Sequence, residues 1–154
     1  MSVAIIWFRQ DLRCHDNPAF ISGCNNHPAV IPLYILDDQT LLGSAQKWWL
    51  HHSLLALEES LQKQGLPLLL RRGKAMDILS QLSQEFQVDT VYWNRCYEPY
   101  RIENDAKIKK LLAAEGINCQ SFKGSLIWEP WEILKSDKTP YKVFTPFYNA
   151  TLKL

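Results

Sequence analysis

Val3-Ala4-Ile5-Ile6-Trp7-Phe8, followed at once by Arg9-Gln10-Asp11-Leu12-Arg13, is the stretch on which the reading of this chain turns. Six apolar residues in unbroken succession predict a strand buried on both faces, as in a parallel sheet covered by helices. The polar run begins where that strand would end. It contains no glycine, so it cannot form the loop that lets backbone amides approach a pyrophosphate or a triphosphate.

Working outward, Asn17-Pro18 reads as an N-cap with proline at the first helical position, opening a short helix through Ala19, Phe20 and Ile21. Ala29–Leu36 is a second strand, in which Pro32 lacks a donor and forces a gap in its ladder. Ser44 is read as the cap of a helix from Ala45 to Gln64, with Leu50, Leu54, Leu57 and Leu61 as its core face, a Glu59–Lys63 pair outside and Gly65 just past its end. Leu66–Arg71 is a third strand. Ala75, Leu79, Leu82 and Phe86 mark the next helix face, and Thr90–Trp93 is a fourth strand. A helix from Ile102 to Glu115 carries Glu103–Lys107 and Asp105–Lys109 pairs, and Ile117–Phe122 is a fifth strand. Strands alternating with helices predict an α/β fold, a doubly wound five-stranded parallel sheet of order 3-2-1-4-5 with helices on both faces. Such a sheet binds ligands outside the carboxyl ends of its strands, where the strand order reverses, here between strands one and four.

The remaining composition narrows the function. The 154 residues suit one domain, and 17 basic against 16 acidic residues give +1, so the chain carries no basic footprint for nucleic acid. No apolar run approaches the roughly 20 residues of a membrane span, and the N-terminus lacks the pattern of a signal peptide. Cys14, Cys24, Cys96 and Cys119 have no CxxC spacing and read as reduced thiols, which places the protein in the cytoplasm. His51-His52 point in different directions and have no partner cluster, so no metal site is expected. Residues 1–125 form the sheet domain in this reading. Residues 126–154, rich in Trp, Tyr, Phe and Pro and without a clear period, form a tail that leads toward a second domain.

At the expected switch point, Arg9 is free to meet the polar edge of a ligand, whereas Asp11 and Arg13 alternatively form a structural or interdomain ion pair. Trp93-Asn94-Arg95-Cys96-Tyr97-Glu98-Pro99-Tyr100-Arg101 combines amide, guanidinium, phenol and carboxylate among aromatic faces, a composition that suits a flat, polar-edged ligand or a surface loop with a local salt bridge. Of Trp48-Trp49, one residue is expected to be partly core and the other to border the crevice. No spacing suggests a nucleophilic triad.

Several of these segments together resemble the DNA photolyase/cryptochrome family, most closely its bacterial cyclobutane-dimer photolyases. They are Trp7–Arg13 with His15-Asp16-Asn17, then Gly43, Trp48-Trp49-Leu50-His51 and Ser53-Leu54, then Asn94–Tyr100, and Tyr141–Phe147. The resemblance covers essentially the whole chain, in order. It implies an N-terminal Rossmann-like domain joined by a linker to a helical domain that holds FAD and the DNA site, neither of which has residues here. The implied reaction is light-driven: reduced, excited FAD passes an electron to a pyrimidine dimer flipped out of the duplex. It also implies that the α/β domain holds an antenna chromophore: methenyltetrahydrofolate, 8-hydroxydeazaflavin or FMN.

One branch of the family grips methenyl-folate with an Asn-Glu pair where this sequence has Tyr100-Arg101, so that contact set is absent. The resemblance assigns the pigment to Phe8 and Arg9, to Leu36, Asp37 and Asp38, and to Lys47 and Trp48. After strand four it adds Asn94, Arg95, Tyr97, Glu98 and Tyr100. Asp11, Arg13, Tyr141 and Phe144 are assigned to the contact with the helical domain. A monomer is expected, with that helical domain and damaged DNA as partners and without repair by the 154 residues alone. The alternatives are a cryptochrome-type light sensor and a stand-alone nucleotide-binding module.

Overall fold

The structure, a computed structural model, describes residues 2–37 and 42–153. Five strands form one parallel sheet: β1 (Val3–Phe8), β2 (Ala29–Leu36), β3 (Leu69–Arg72), β4 (Thr90–Asn94) and β5 (Asn118–Phe122). Their order is β3-β2-β1-β4-β5, as the alternation of strand and helix patterns predicts. Helices α1 (Pro18–Asn26) and α2 (Ser44–Gln62) cover one face, and α3 (Ala75–Glu85) and α4 (Pro99–Ala114) cover the other. A further helix, α5 (Phe144–Thr151), lies in the tail.

The two-residue period of the strands divides the core. Ile5, Trp7, Leu33, Ile35, Val91 and Trp93 pack against Leu79 and Leu82 of α3 and Ile108 and Leu112 of α4. Ile6 and Phe8 pack against Phe20 of α1 and Leu57 and Leu61 of α2, and Ala4 and Tyr92 meet Ala19. Trp93 is wholly buried and meets Trp7 edge-on at 5.9 Å; truncating such a residue to alanine removes about 3–5 kcal/mol.

Most local signals operate as read. Asn17 Oδ1 accepts from the Phe20 amide at 3.1 Å and caps α1. Pro32 pairs opposite Ile6, and the β2–β3 ladder starts only at Leu33, so the missing donor stands at the end of that ladder. Gly65 takes φ +74° where α2 stops, a conformation that costs other residues more. The Glu59–Lys63 and Glu103–Lys107 pairs form at 2.8 and 2.7 Å on the solvent side.

Several expectations are corrected. The cap of α2 is Gly43, one residue before Ser44: Gln46 Oε1 accepts from the Gly43 amide at 2.9 Å. β3 starts at Leu69, not Leu66. Phe86 is not on the core face of α3, because the helix ends at Glu85, Gln87 turns the chain at φ +52° and Val88 takes the buried place. α4 begins at Pro99, where a missing N–H is harmless. Asp105 does not pair with Lys109. Its carboxylate turns inward, and Lys109 donates to Ser121 Oγ at 2.8 Å and lies over the Trp93 ring. The tail does contain a helix, since Pro146 falls in the first turn of α5, where proline is tolerated. Among the described residues, no helix is long and apolar enough to cross a membrane.

Candidate chromophore cleft

A cleft of about 1200 Å³ opens at the carboxyl edge of the sheet, where the strand order reverses. Its floor is Trp7 and Arg9 from β1 and the chain just beyond it, with Tyr34, Leu36 and Asp37 from the end of β2 beside them. The start of α2 supplies Gln46, Trp49, Leu50 and Ser53, four positions at helical spacing on one face. The start of α3 brings Ala75 and Met76, and α4 brings Tyr100, Arg101 and Asp105 behind Glu98.

The floor holds a buried charge pair. Arg9 Nη1 donates to Asp105 Oδ1 at 2.7 Å and Nη2 to Oδ2 at 3.1 Å, and Nη2 also meets the Asn94 carbonyl. The guanidinium lies over the Trp7 ring, 4.7 Å from its centroid. Trp93 Nε1 donates to Asp105 Oδ2 at 3.0 Å, so one carboxylate joins β1, β4 and α4. Arg9 Nε and Trp7 Nε1 are buried with no hydrogen-bond partner among the described residues.

Nearer the mouth, Gln10 donates to Glu98 Oε1 at 2.8 Å, and Arg101 lies 3.5 Å from the same oxygen. Burial acts to raise the Glu98 carboxyl, but amide and Gln10 hydrogen bonds and Arg101 bring it below the usual range. Burial pushes the Tyr34 phenol up, and it pushes the Cys96 thiol up against the opposing pull of Arg9 and Arg101.

On the opposite side of the same strand ends lies a closed polar network. Asn94 Nδ2 donates to Asp11 Oδ2 at 2.5 Å and to Asn17 Oδ1 at 2.8 Å. Asn17 Nδ2 and the Arg9 amide also reach the Asp11 carboxylate. Asn94 Oδ1 accepts from the Ala19 amide at 3.3 Å. All three side chains are buried. Gly124 closes over them: a Cβ there would stand 2.7 Å from Asn94 Cβ and Nδ2, so only glycine fits.

Of the sequence-predicted pigment residues, Arg9, Leu36, Asp37, Glu98 and Tyr100 line the cleft. Phe8, Lys47, Trp48, Asn94, Arg95 and Tyr97 do not, and Asp38 lies outside the described residues. Phe8 and Asn94 fall on the wrong parity and face α1. Lys47 and Trp48 are off the 46-49-50-53 face, and Trp48 instead packs its ring 4.4 Å from His52. Arg95 turns to the tail: Nε donates to Glu129 Oε1 at 2.9 Å and Nη1 to the Ser121 carbonyl at 2.5 Å. Tyr97 lies on that side too, its phenol raised by burial and by Glu129.

Sequence reasoning missed Trp7, Tyr34 and Asp105 and named Arg101 only as part of the loop after β4; of Trp48-Trp49 neither is partly core, both being exposed, and the helical spacing around Leu50 selects Trp49 as the one that borders the cleft. Asp11 and Arg13 do not form an ion pair with each other. Asp11 is consumed by Asn94 and Asn17, while Arg13 Nη2 donates to the carbonyls of Asp16 and Gly124 at 2.9 and 2.7 Å. Tyr141 stands edge-on to Phe147 at 6.4 Å, and Phe144 is exposed, stacked on Tyr148.

The model of the DNA photolyase family matches residues 4–154. The chain belongs to that family. A deoxyribodipyrimidine photo-lyase from Agrobacterium fabrum is 44% identical over 147 residues, covering 95% of this chain and 31% of that one. Cryptochrome-1 of Arabidopsis thaliana is 31% identical over 98% of this chain and 23% of its own length. A bacterial class III photolyase from Agrobacterium tumefaciens superimposes with a TM-score of 0.95 at 42% identity, covering the whole chain and 32% of that structure. An archaeal photolyase from Sulfolobus tokodaii, described with two FAD molecules and an implied novel light-harvesting cofactor, gives 0.80 at 28% identity, over 99% of this chain and 35% of its own. This photolyase-family chain thus spans about a third of the photolyases it matches. It is homologous to their N-terminal antenna domains and shares their α/β Rossmann-like fold.

Proposed function

We propose that this chain is the antenna-chromophore-binding domain of a deoxyribodipyrimidine photolyase, the light-driven lyase that repairs pyrimidine dimers in DNA. The observation that carries the reading is the cleft at the sheet's switch point, walled by Trp7, Tyr34, Trp49 and Tyr100. Small-molecule sites occupy about 300–1,000 Å³ and combine apolar and aromatic walls with a few fixed polar groups. The cleft, at about 1200 Å³, is somewhat larger than that but has that make-up, and Gln46 and Arg101 put side-chain donors on its lining. These features fit a flat heteroaromatic ring with carbonyl or ring-nitrogen acceptors. Proteins of this family bind a flavin and a second, antenna chromophore.

When bound, the antenna supplies light absorption and hands excitation energy to FAD. The chain's own residues bind the ring, orient it and exclude water. Arg9, Leu36, Asp37, Glu98 and Tyr100 are the predicted residues we keep for this role, with Trp49 in place of Trp48. The same reading takes residues 1–125 as the sheet domain and 126–154 as its tail. Tyr141 and Phe144 then face a helical FAD domain, and the full-length protein is a cytoplasmic monomer acting on damaged DNA. Four free thiols support the compartment. Repair is assigned to the full-length protein and not to these 154 residues.

Fluorescence titration with methenyltetrahydrofolate, 8-hydroxydeazaflavin and FMN, with ATP as control, tests the reading. Saturable binding of one pigment supports it and identifies that pigment. Tight ATP binding with no pigment binding would instead make the domain a nucleotide-binding module. The identity to a plant cryptochrome keeps a signalling role as the second reading; blue-light dimer repair by the full-length protein separates the two.

A further inference from the structure

We infer that the buried Arg9–Asp105 pair is the fixed dipole that orients the pigment in the cleft and sets its colour, with Asp105 acting as a positioning residue through Arg9. The inference rests on the antenna reading of the site. The charged groups around the cleft differ in their access to water. Lys107 pairs with Glu103 across open solvent, and Arg101 meets Glu98 near the mouth. Water screens such pairs. The side chains of Arg9 and Asp105 are only 4% and 12% exposed, yet both line the cleft. A bound ring would feel them as a fixed dipole, offset by the pairing itself but little screened by water.

A buried ion pair is a weak device for stability alone. Well-packed apolar residues of similar volume often serve stability as well or better, because two charges must be desolvated. The contacts are those of a device that fixes direction. The two-pronged carboxylate contact, the Asn94 carbonyl and the Trp7 face hold the guanidinium, and Trp93 Nε1 holds the carboxylate. Nε is buried without a protein partner, so the guanidinium acts on the cleft through its charge and not through an exposed donor. A ring carbonyl or ring nitrogen turned toward this end of the cleft would face the positive member of the pair. A pigment whose charge shifts along the ring on excitation absorbs at an energy that depends on that field.

The test is the absorption maximum and affinity of the pigment that binds in the titration above, compared among the wild type, Asp105→Asn, Arg9→Lys and Glu103→Gln. Asp105→Asn removes one charge of the pair. The absorption maximum should move and the affinity should fall about tenfold, the scale of one charge-assisted hydrogen bond. Arg9→Lys keeps the charge but loses the fork and Nε, and should displace the maximum less. It also covers the case in which Asp105→Asn does not fold. Glu103→Gln breaks the surface pair and should leave the spectrum unchanged. Unchanged spectra for both floor variants, with pigment still bound, would overturn the inference and leave the antenna reading standing. Failure of the wild type to bind any of the three pigments would overturn both.

Discussion

Arg9 and Asp11 are two residues apart, and the structure uses them in opposite ways. Arg9 goes to the α3/α4 side, where its charge is set into the wall of an open cleft with one donor unspent. Asp11 goes to the α1/α2 side, where Asn17, Asn94 and the Arg9 amide occupy it inside a sealed network. The ends of β4 repeat the division: Trp93 faces Asp105, and Asn94 faces Asp11. Polar residues at a switch point therefore do two jobs. One side closes the loops onto the sheet, and the other leaves a cavity. In β4 strand parity decides which residue does which; Arg9 and Asp11 share a parity and part only because the chain has left β1 after Phe8.

The comparison breaks most visibly at Asn94. Asn94→Ala should cost about 3 kcal/mol, because it strips Asp11, Asn17 and the Ala19 amide of a buried partner at once. Urea denaturation measures it. Pigment affinity of the folded fraction should hardly change, and a loss of affinity without a loss of stability would exchange the roles of the two sides. Gly124→Ala presses on the same network and should cost about 2 kcal/mol by overpacking a side chain that cannot move aside.

On the open side the effects move from stability to binding. Trp49→Ala should weaken pigment binding about tenfold, while Trp48→Ala, one residue away, should leave it unchanged. Equal effects in the titration would mean that the cleft face of α2 is wrongly assigned.

The smallest effect is a control at a residue outside the cleft lining. Burial pushes the Cys119 thiol on β5 up to about 11, Lys109 pulling the other way. The unfolded chain ionises this thiol first, near pH 8.5. The contribution is complete below that pH and is lost as pH rises through about 11. Thermal melts should show a modest alkaline loss that is smaller in Cys119→Ala.

The sheet was legible because its signals are local and repeated: apolar runs for β1, β2 and β4, and a proline-led cap at Asn17-Pro18. The cleft's position followed from strand order alone. Its occupants were harder to read. A run such as Trp7-Phe8 or Trp93-Asn94 is apolar or polar to the eye but alternates in space, and the residue that carries the motif can be the one turned away. Asp105 was read as half of a local i,i+4 pair, but a bidentate partner 96 positions earlier in the chain outcompetes Lys109. α5 escaped because it buries no side chain in this chain, so no core-facing period marks it.

Glu129 has a mechanical consequence. The chain leaves β5, an edge strand held on one side only. Seven residues on, Glu129 is buried against Arg95, just past the end of β4. Tension on the tail is thus delivered first to a charged bond anchored beside an inner strand, and the edge strand is shielded from being peeled away residue by residue.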